Sequence, residues 1–581
     1  MHSAKFCIVA FVFAASPLAL FGAGGACPSG ANYLSLINPT GAKVALSAFG
    51  ITSCYYVAAN GSDSNSGTSE SSPWLHAPGM PACAATCASV TPAAGEGFIF
   101  RGGDIWHFGN TSGSPYTGGS WVWNGWSGTS SSYIYIGVDP AWYSGSSWSR
   151  PILNTDNPTS TSPVSSCPYQ IAANASVSFS ANREVYLSGD YTIFDNFEMT
   201  GLCWNSNYQA GGTGGIYFEY VGTSAGNGNV AYIENNYLHG WTHTSAGAQA
   251  GGMGFFDYNQ NFGEIFRFNV VDGADSDVLS LAPWGENSSG YDIEYNVTND
   301  IGGGGDVFQA CHIMHDNLFE NIYQNTDGST HSDIAFCYGE YGGGSSDPNL
   351  FYNNIFRNVA PSGTPFGGYV FTPDTPSGQT DYIFNNVFHD VNTGGSGNNN
   401  AMCDQGNCGP SIMWNNTAEG GLSGSVPSGI VWGNGRATVA LTSVNNYWVS
   451  TGTGTSAVFT GPSYVTESNA IYQTLSTANS QGYTSANDFS PTSSSAATVT
   501  AVGANQTNGY CADSVLHNAA AEAACKQGIT GVSYNQTNHT VVYPAFPAVL
   551  RPATGAWQVG ASEKGPSTQV DPPSNLTAIT H

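Results

Sequence analysis

The chain has 581 residues and a formal charge of −28, with 74 glycines, 13% aromatic and only 9% charged residues. Its pI is near 4.4, which argues against nucleic acid or an anionic membrane as partner. Abundant glycine and aromatics with few charges favour turns and half-buried strands. A chain this long ordinarily divides into several domains, but a solenoid grows in one dimension and escapes that limit.

In chain order, Lys5 precedes the apolar run FCIVAFVFAASPLALFG and then small residues ending at Ala26. This pattern predicts a secretory signal peptide over residues 1–26, cut after Ala23 or Ala26, and a secreted, extracellular protein. Cys27 invites a lipoprotein reading, but Gly24 stands where that signal needs leucine. No later segment is apolar enough over sufficient length to span a bilayer. Beyond Cys7 the chain keeps twelve cysteines, an even count that favours disulfides in an exported protein. Cys83/Cys87, Cys403/Cys408, Cys511/Cys525 and Cys311/Cys337 are plausible pairs. The close pairs lack zinc-knuckle spacing.

Residues 27–182 carry seven of the fourteen tryptophans among Gly-Ser turns and are expected to form an N-terminal cap and first irregular coils. Trp106, Trp121, Trp123, Trp126, Trp142, Trp148, Trp241 and Trp284 either stack on sugars or pack that cap. Between Asn196 and Asn446 a short phrase recurs nine times, an asparagine set among apolar residues. Its asparagines are Asn196, Asn236, Asn269, Asn296, Asn317, Asn354, Asn386, Asn416 and Asn446, with gaps of 21 to 40 residues. An irregular period with one fixed polar position marks a β-solenoid. A coil of 21 residues holds three short strands and their turns but no helix pair. Asparagine suits the left-handed turn backbone, and stacked amides can hydrogen-bond along the rod. The fold class is therefore all-β: a right-handed parallel β-helix of about nine or more coils, with its regular part at residues 183–450. Residues 451–565 are expected to finish the rod and cap it, with a short helix around AAAEAACKQ, before a Pro-rich tail at 566–581.

Three segments carry a resemblance to a known family. YYVAANGSDSNSGTSESSPW (55–74) is similar to the opening strand, FIFRGGDIWHF (98–108) to the next strand, and RPATGAWQVGAS (551–562) to the closing strand of secreted bacterial right-handed β-helix proteins of the pectate-lyase-like superfamily. The resemblance implies the fold and an extracellular setting. It does not choose among lyases, glycoside hydrolases, epimerases and non-catalytic surface proteins. NTDG (325–328) resembles the Asn-Thr-Asp of polygalacturonase-type hydrolases, but the paired Asp, Gly-His-Gly and Arg-Ile-Lys of that family do not follow, so no role is carried over.

Two constellations could support chemistry. Three positions past the ladder lie His239, Asp272, Asn299, Glu320, Arg357, His389 and Glu419. This outward column predicts cross-coil pairs His239–Asp272 and Glu320–Arg357, on a solvated face or a sugar-binding stripe. The loops hold Asp275, Asp277, Asp306, Asp327, His331, Asp333 and Glu340. Asp277, Asp306 and Asp327 fall at similar offsets from their ladder asparagines, so they would line one edge as an acid/base set or as Ca²⁺ ligands. A lyase is disfavoured, because no lysine lies between Lys43 and Lys526 to neutralise a uronate.

The sequence thus predicts a monomer that cleaves or binds an extracellular polysaccharide, as glycoside hydrolase or polysaccharide lyase. Asp277, Asp306, Asp327 and His331 are its expected reactive groups, and Asp333, Glu340, Arg357, Trp241 and Trp284 its substrate contacts. The rival expectation is a non-catalytic adhesive β-helix that binds glycans through its tryptophans.

Overall fold

The computed structural model describes residues 24–29, 42–109, 119–169, 183–204, 215–220, 230–244, 252–257, 264–277, 281–286, 292–302, 313–323, 335–337, 348–359, 371–373, 380–393, 401–402, 410–422, 431–432, 441–450 and 465–565. Two long sheets, of 14 and 12 strands, run the length of the molecule. All their pairings are parallel except the first, where Gly25–Ala26 lies antiparallel to Ser53–Val57. Each coil gives one strand to each sheet in turn: Glu264–Arg267 then Val270–Asp272, for example, followed by Asp292–Glu294 then Val297–Ile301. A third face holds sheets of five and four strands. This is the parallel β-helix that the repeats predict.

The asparagine ladder makes the bend between the two long sheets. The Asn236 side chain donates to Asn269 Oδ1 at 3.0 Å, Asn269 to Asn296 at 3.1 Å, Asn296 to Asn317 at 3.1 Å and Asn317 to Asn354 at 3.0 Å. The chain of amides continues through Asn386 and Asn416 to Asn446. Every amide also reaches a backbone carbonyl, as Asn296 reaches Phe266 O at 2.9 Å, so the buried column is satisfied.

Asn196 is not a rung of this ladder. Strand register aligns Asp195 with Glu234, which places Asn196 opposite Asn235 and puts Phe197 at the ladder position. The left-handed residue is also the one before each ladder asparagine: φ is 58° at Asn235, 56° at Asn353 and 54° at Asn415. Asn196, at φ 69°, belongs to that set, and its side-chain oxygen is buried without a hydrogen-bond partner.

Inside, eight successive coils contribute a buried apolar residue three positions before the ladder residue, Phe194, Ile233, Phe266, Ile293, Met314, Phe351, Ile383 and Met413, and the coil of Asn446 places Ser443 there. Opposite them, Phe319, Phe356 and Phe388 stack at centroid distances of 4.9 Å, the repeat of one strand spacing. Such pairs are worth about 1 kcal/mol each beyond their burial. Trp106, Trp121, Trp123 and Trp241 are fully buried and Trp142 nearly so, while Trp126 and Trp148 are half-buried. Of these, Trp106, Trp121, Trp123 and Trp241 pack the core.

The chain after residue 475 turns back along the outside of the rod. Ile529, Val532 and Ala561 cover Val270, Val297, Leu318, Ile355 and Val387. Further on, the helix Ala519–Cys525 and Trp557 cover Leu350, Tyr352, Phe384 and Trp414. Polar clamps fix this cover: Asp316 Oδ1 accepts from Thr530 Oγ1 at 2.6 Å and from Gly531 N at 2.9 Å, and Arg551 donates to Asn385 at 3.2 Å. The outward polar column therefore does not form a solvated stripe. Asp272, Asn299, His389 and Glu419 face out from the lumen but are buried beneath the returning segment.

Disulfides join Cys83–Cys87 and Cys511–Cys525, as the local spacing predicts, together with Cys27–Cys54 and Cys167–Cys203. The Cys27 thiol is thus held in a disulfide. Cys311, Cys403 and Cys408 lie outside the described residues, as does the Cys337 side chain. No helix among the described residues is long and apolar enough to cross a membrane.

Candidate active site

The richest contact of titratable side chains lies at the seam between the second long sheet and a hairpin of the returning segment, Ser533–Asn535 with Thr540–Val542. Strand alternation points Glu198, Tyr237, His239 and Asp272 out of the rod. Asp275 comes from the turn just beyond Asp272. The hairpin brings Tyr534 and His539 onto them.

His239 is held between two carboxylates, Nδ1 at 2.9 Å from Asp275 Oδ2 and Nε2 at 3.1 Å from Glu198 Oε1. Burial opposes its charge, but the hydrogen bonds to Asp275 and Glu198 prevail and push its pKa up to about 9. In return, although burial favours the neutral acid, the His239 contact keeps Asp275 below the usual carboxylate range. The group remains reachable: the side chains are 15% exposed for His239, 23% for Glu198 and 46% for Asp275.

His539 is driven the other way. Burial holds its pKa below the ordinary histidine value; the charge of Asp272 opposes this, and those of His239 and Arg150 add to it. Tyr534 donates its hydroxyl to Asp272 Oδ2 at 2.5 Å, and burial together with that carboxylate raises the phenol pKa well above its ordinary value. The Tyr534 oxygen therefore accepts from His539 Nδ1 at 2.9 Å, which leaves His539 Nε2 as the unprotonated nitrogen. Both imidazoles lie parallel to the Tyr237 ring with centroids 4.3 Å away. Arg150 sits 6.0 Å from the Tyr237 centroid and donates to Asn235 O at 3.1 Å.

Of the residues predicted as reactive, only Asp277 is among the described residues. Asp277 turns inward, Oδ2 at 2.9 Å from His243 Nδ1, with side-chain exposures of 6% and 4%. Trp241 is buried above it and donates its indole N–H to Asp277 O at 2.8 Å, so it offers no face to a sugar. Asp306, Asp327, His331, Asp333 and Glu340 lie outside the described residues, as does the Trp284 side chain, although its strand Leu281–Glu286 is described. Among the described residues no group of three or more His, Cys, Asp or Glu is gathered for a metal, and Asp277 presents no exposed oxygen to Ca²⁺. Arg357 is committed to protein, bonding to Glu320 at 2.7 Å and to Asp488 of the returning segment at 3.2 Å. The Glu320–Arg357 pair is as the spacing predicts. His239 instead takes Asp275 and Glu198 rather than Asp272, because the hairpin tyrosine claims Asp272.

Sequence reading missed His539, Tyr534 and Glu198. The first two lie far along the chain from the rod residues they meet; a separation of 262 residues divides Tyr534 from Asp272. The visible signal was a Tyr and a His flanking the polar turn NQTN in an otherwise capping segment.

No protein-family model matches the chain, and no curated protein matches it. Among solved structures, pectate lyase Pel9A is similar at 16% identity over 73% of this chain and 80% of that one, with a TM-score of 0.32. The lacto-N-biosidase of family GH136 from Eubacterium ramulus is 12% identical over 72% of this chain and 67% of its own, at TM-score 0.32. A rhamnogalacturonan lyase is 14% identical over 72% and 87%, at 0.31. At these identities and TM-scores the likenesses assign no chemistry to this chain.

Proposed function

For a chain with the pectate-lyase-like parallel β-helix fold, we propose a secreted protein that cleaves an extracellular polysaccharide, with the seam between rod and hairpin as its acid/base centre. One observation carries the reading: His239, set between two carboxylates that push its pKa up, and His539, whose pKa burial holds down, both stack on the Tyr237 ring. Groups whose environments drive their pKa values apart are the natural acid and base of a site. His239 as imidazolium would give a proton to the leaving glycosidic oxygen. His539 Nε2 would take one from water, whose oxygen bonds to the anomeric carbon as the glycosidic bond breaks. Glu198 and Asp275 flank His239 on both sides and supply negative charge for a cationic sugar transition state.

Hydrolysis of a neutral glycan fits better than elimination from a uronic acid. Elimination needs cations to neutralise the substrate carboxylate; among the described residues Arg101 is tied to Asp104, Arg267 to Glu234 and Arg357 to Glu320 and Asp488, and Arg150 at the seam is buried and donates to Asn235 O. Among the described residues Trp106, Trp121, Trp123 and Trp241 are buried, which weighs against a purely adhesive protein. The test is a panel of neutral and acidic polysaccharides. New reducing ends without unsaturated-uronate absorbance support hydrolysis, and absorbance would replace it with elimination.

A further inference from the structure

A second row of side-chain amides runs along the outside of the rod, separate from the buried ladder. Asn358 donates to Asn321 Oδ1 at 2.5 Å, Asn321 to Asn299 Oδ1 at 2.6 Å, and Asn299 to both Asp272 Oδ1 at 2.8 Å and Asp300 Oδ2 at 3.1 Å. Tyr323 adds its hydroxyl to Asp300 at 3.3 Å. The row therefore ends on the carboxylate that Tyr534 contacts at the seam, and the Tyr534 hydroxyl in turn receives His539. Strand register places Asp300, Asn321, Asn358 and Asp390 at one position on four successive coils. Asn358 and Asp390 are exposed there, while Asp300, Asn321 and Tyr323 are half-exposed.

The backbone does not require these side chains. All four residues have φ between 49° and 56°, and earlier coils fill the same position with Gly201 and Gly240 at φ 79° and 67°. Glycine is the least strained choice for that conformation. The four coils from Asp300 to Asp390 carry amide and carboxylate groups instead, on the face that leads to the acid/base centre. The chemistry is that of a hydroxyl-binding surface: amide donors and acceptors, carboxylate acceptors and a phenol, repeated once per strand spacing of about 4.8 Å.

We infer that Asp300, Asn321, Tyr323, Asn358 and Asp390 form a track that binds a neutral polysaccharide lengthwise along the rod and feeds it to the seam. The inference rests on the proposed function for its direction but not for its existence, and binding is therefore read apart from cleavage. The probe is affinity electrophoresis of the full chain through gels carrying each of a set of neutral polysaccharides. Wild type, the Asn321→Ala/Asn358→Ala pair and His539→Gln are compared, with a melting curve on each to confirm folding. The track predicts that a glycan retards wild type and His539→Gln equally, and that the double variant loses at least tenfold in affinity. Where cleavage is also measured, KM for long chains rises by that factor with kcat little changed. Equal retardation of the double variant, or no retardation of wild type by any neutral glycan, overturns the track. Loss of cleavage in His539→Gln with retained binding bears on the acid/base centre alone. Should Asn321→Ala destabilise the coil, Tyr323→Phe with Asn358→Ser gives the same readout.

Discussion

Tyr534 donates to Asp272 across a sequence separation of 262 residues, and the same hydroxyl receives His539 Nδ1 at 2.9 Å. This contact makes the C-terminal hairpin part of the proposed acid/base centre. Tyr534→Phe keeps the ring packing but removes the bridge. It should lower cleavage at least tenfold through loss of His539 alignment while the melting temperature changes little. A melting temperature that falls in step with activity would reduce Tyr534 to a structural role.

Stability should be greatest in mild acid. His389, His239 and His315 have folded pKa values pushed up to about 8, 9 and 10 by carboxylates that outweigh burial. Groups raised in this way stabilise the fold fully below their unfolded value, about 6.5, and lose that contribution as pH rises through the folded value. Burial also raises Glu419 to about 7 and Glu563 to about 6, and as neutral acids they lose their contribution over a lower range in the same direction. Glu294, Asp275 and Asp488 are held below the carboxylate range, so their contribution disappears in strong acid. Melting temperature should peak between about pH 5 and 6.5 and fall steadily toward pH 10. A flat profile above pH 7 would show that these histidines are not charged in the folded chain.

The two kinds of asparagine should respond oppositely to substitution. Asn296→Ala removes the acceptor of Asn269 N and leaves buried partners unpaired, at a cost of about 2–4 kcal/mol. Asn196 sits off the ladder at φ 69°, so Asn196→Gly should be neutral or stabilising. Urea unfolding of both variants checks this, and an equal loss in the two would restore Asn196 to the ladder.

Processing of the N-terminus also has a structural preference. Gly25–Ala26 pairs with Ser53 and Cys54, and Cys27 is bonded to Cys54. A cut after Ala26 would delete that strand, whereas a cut after Ala23 preserves it. On the proposed secretion, mass spectrometry of the mature chain should find Gly24 first, and a chain beginning at Cys27 would show the strand to be dispensable.

The β-helix was legible because its cause is periodic: one buried amide per coil must meet the next, and the spacing shows in the chain. The off-by-one at Asn196 arose where two adjacent positions both favour asparagine, one for its amide and the other for its left-handed backbone, as in Asn235–Asn236. The polar column at His239 and Asp272 was visible. Its cover was not, because nothing local in SYNQTNHT reports the distant face on which the hairpin lands. Asp277 was misjudged for a similar reason, since offset from the ladder does not say whether a loop carboxylate turns outward or, as here, inward to His243.

The most direct measurement is the pH–rate profile of polysaccharide cleavage for wild type and His539→Gln. The account predicts activity that rises through the lowered pKa of His539 and falls near pH 9 as His239 loses its proton, with His539→Gln reduced by roughly 10²–10⁴-fold and its acidic limb abolished. Full activity in His539→Gln, or an unchanged acidic limb, would contradict a proton-transfer centre at this seam.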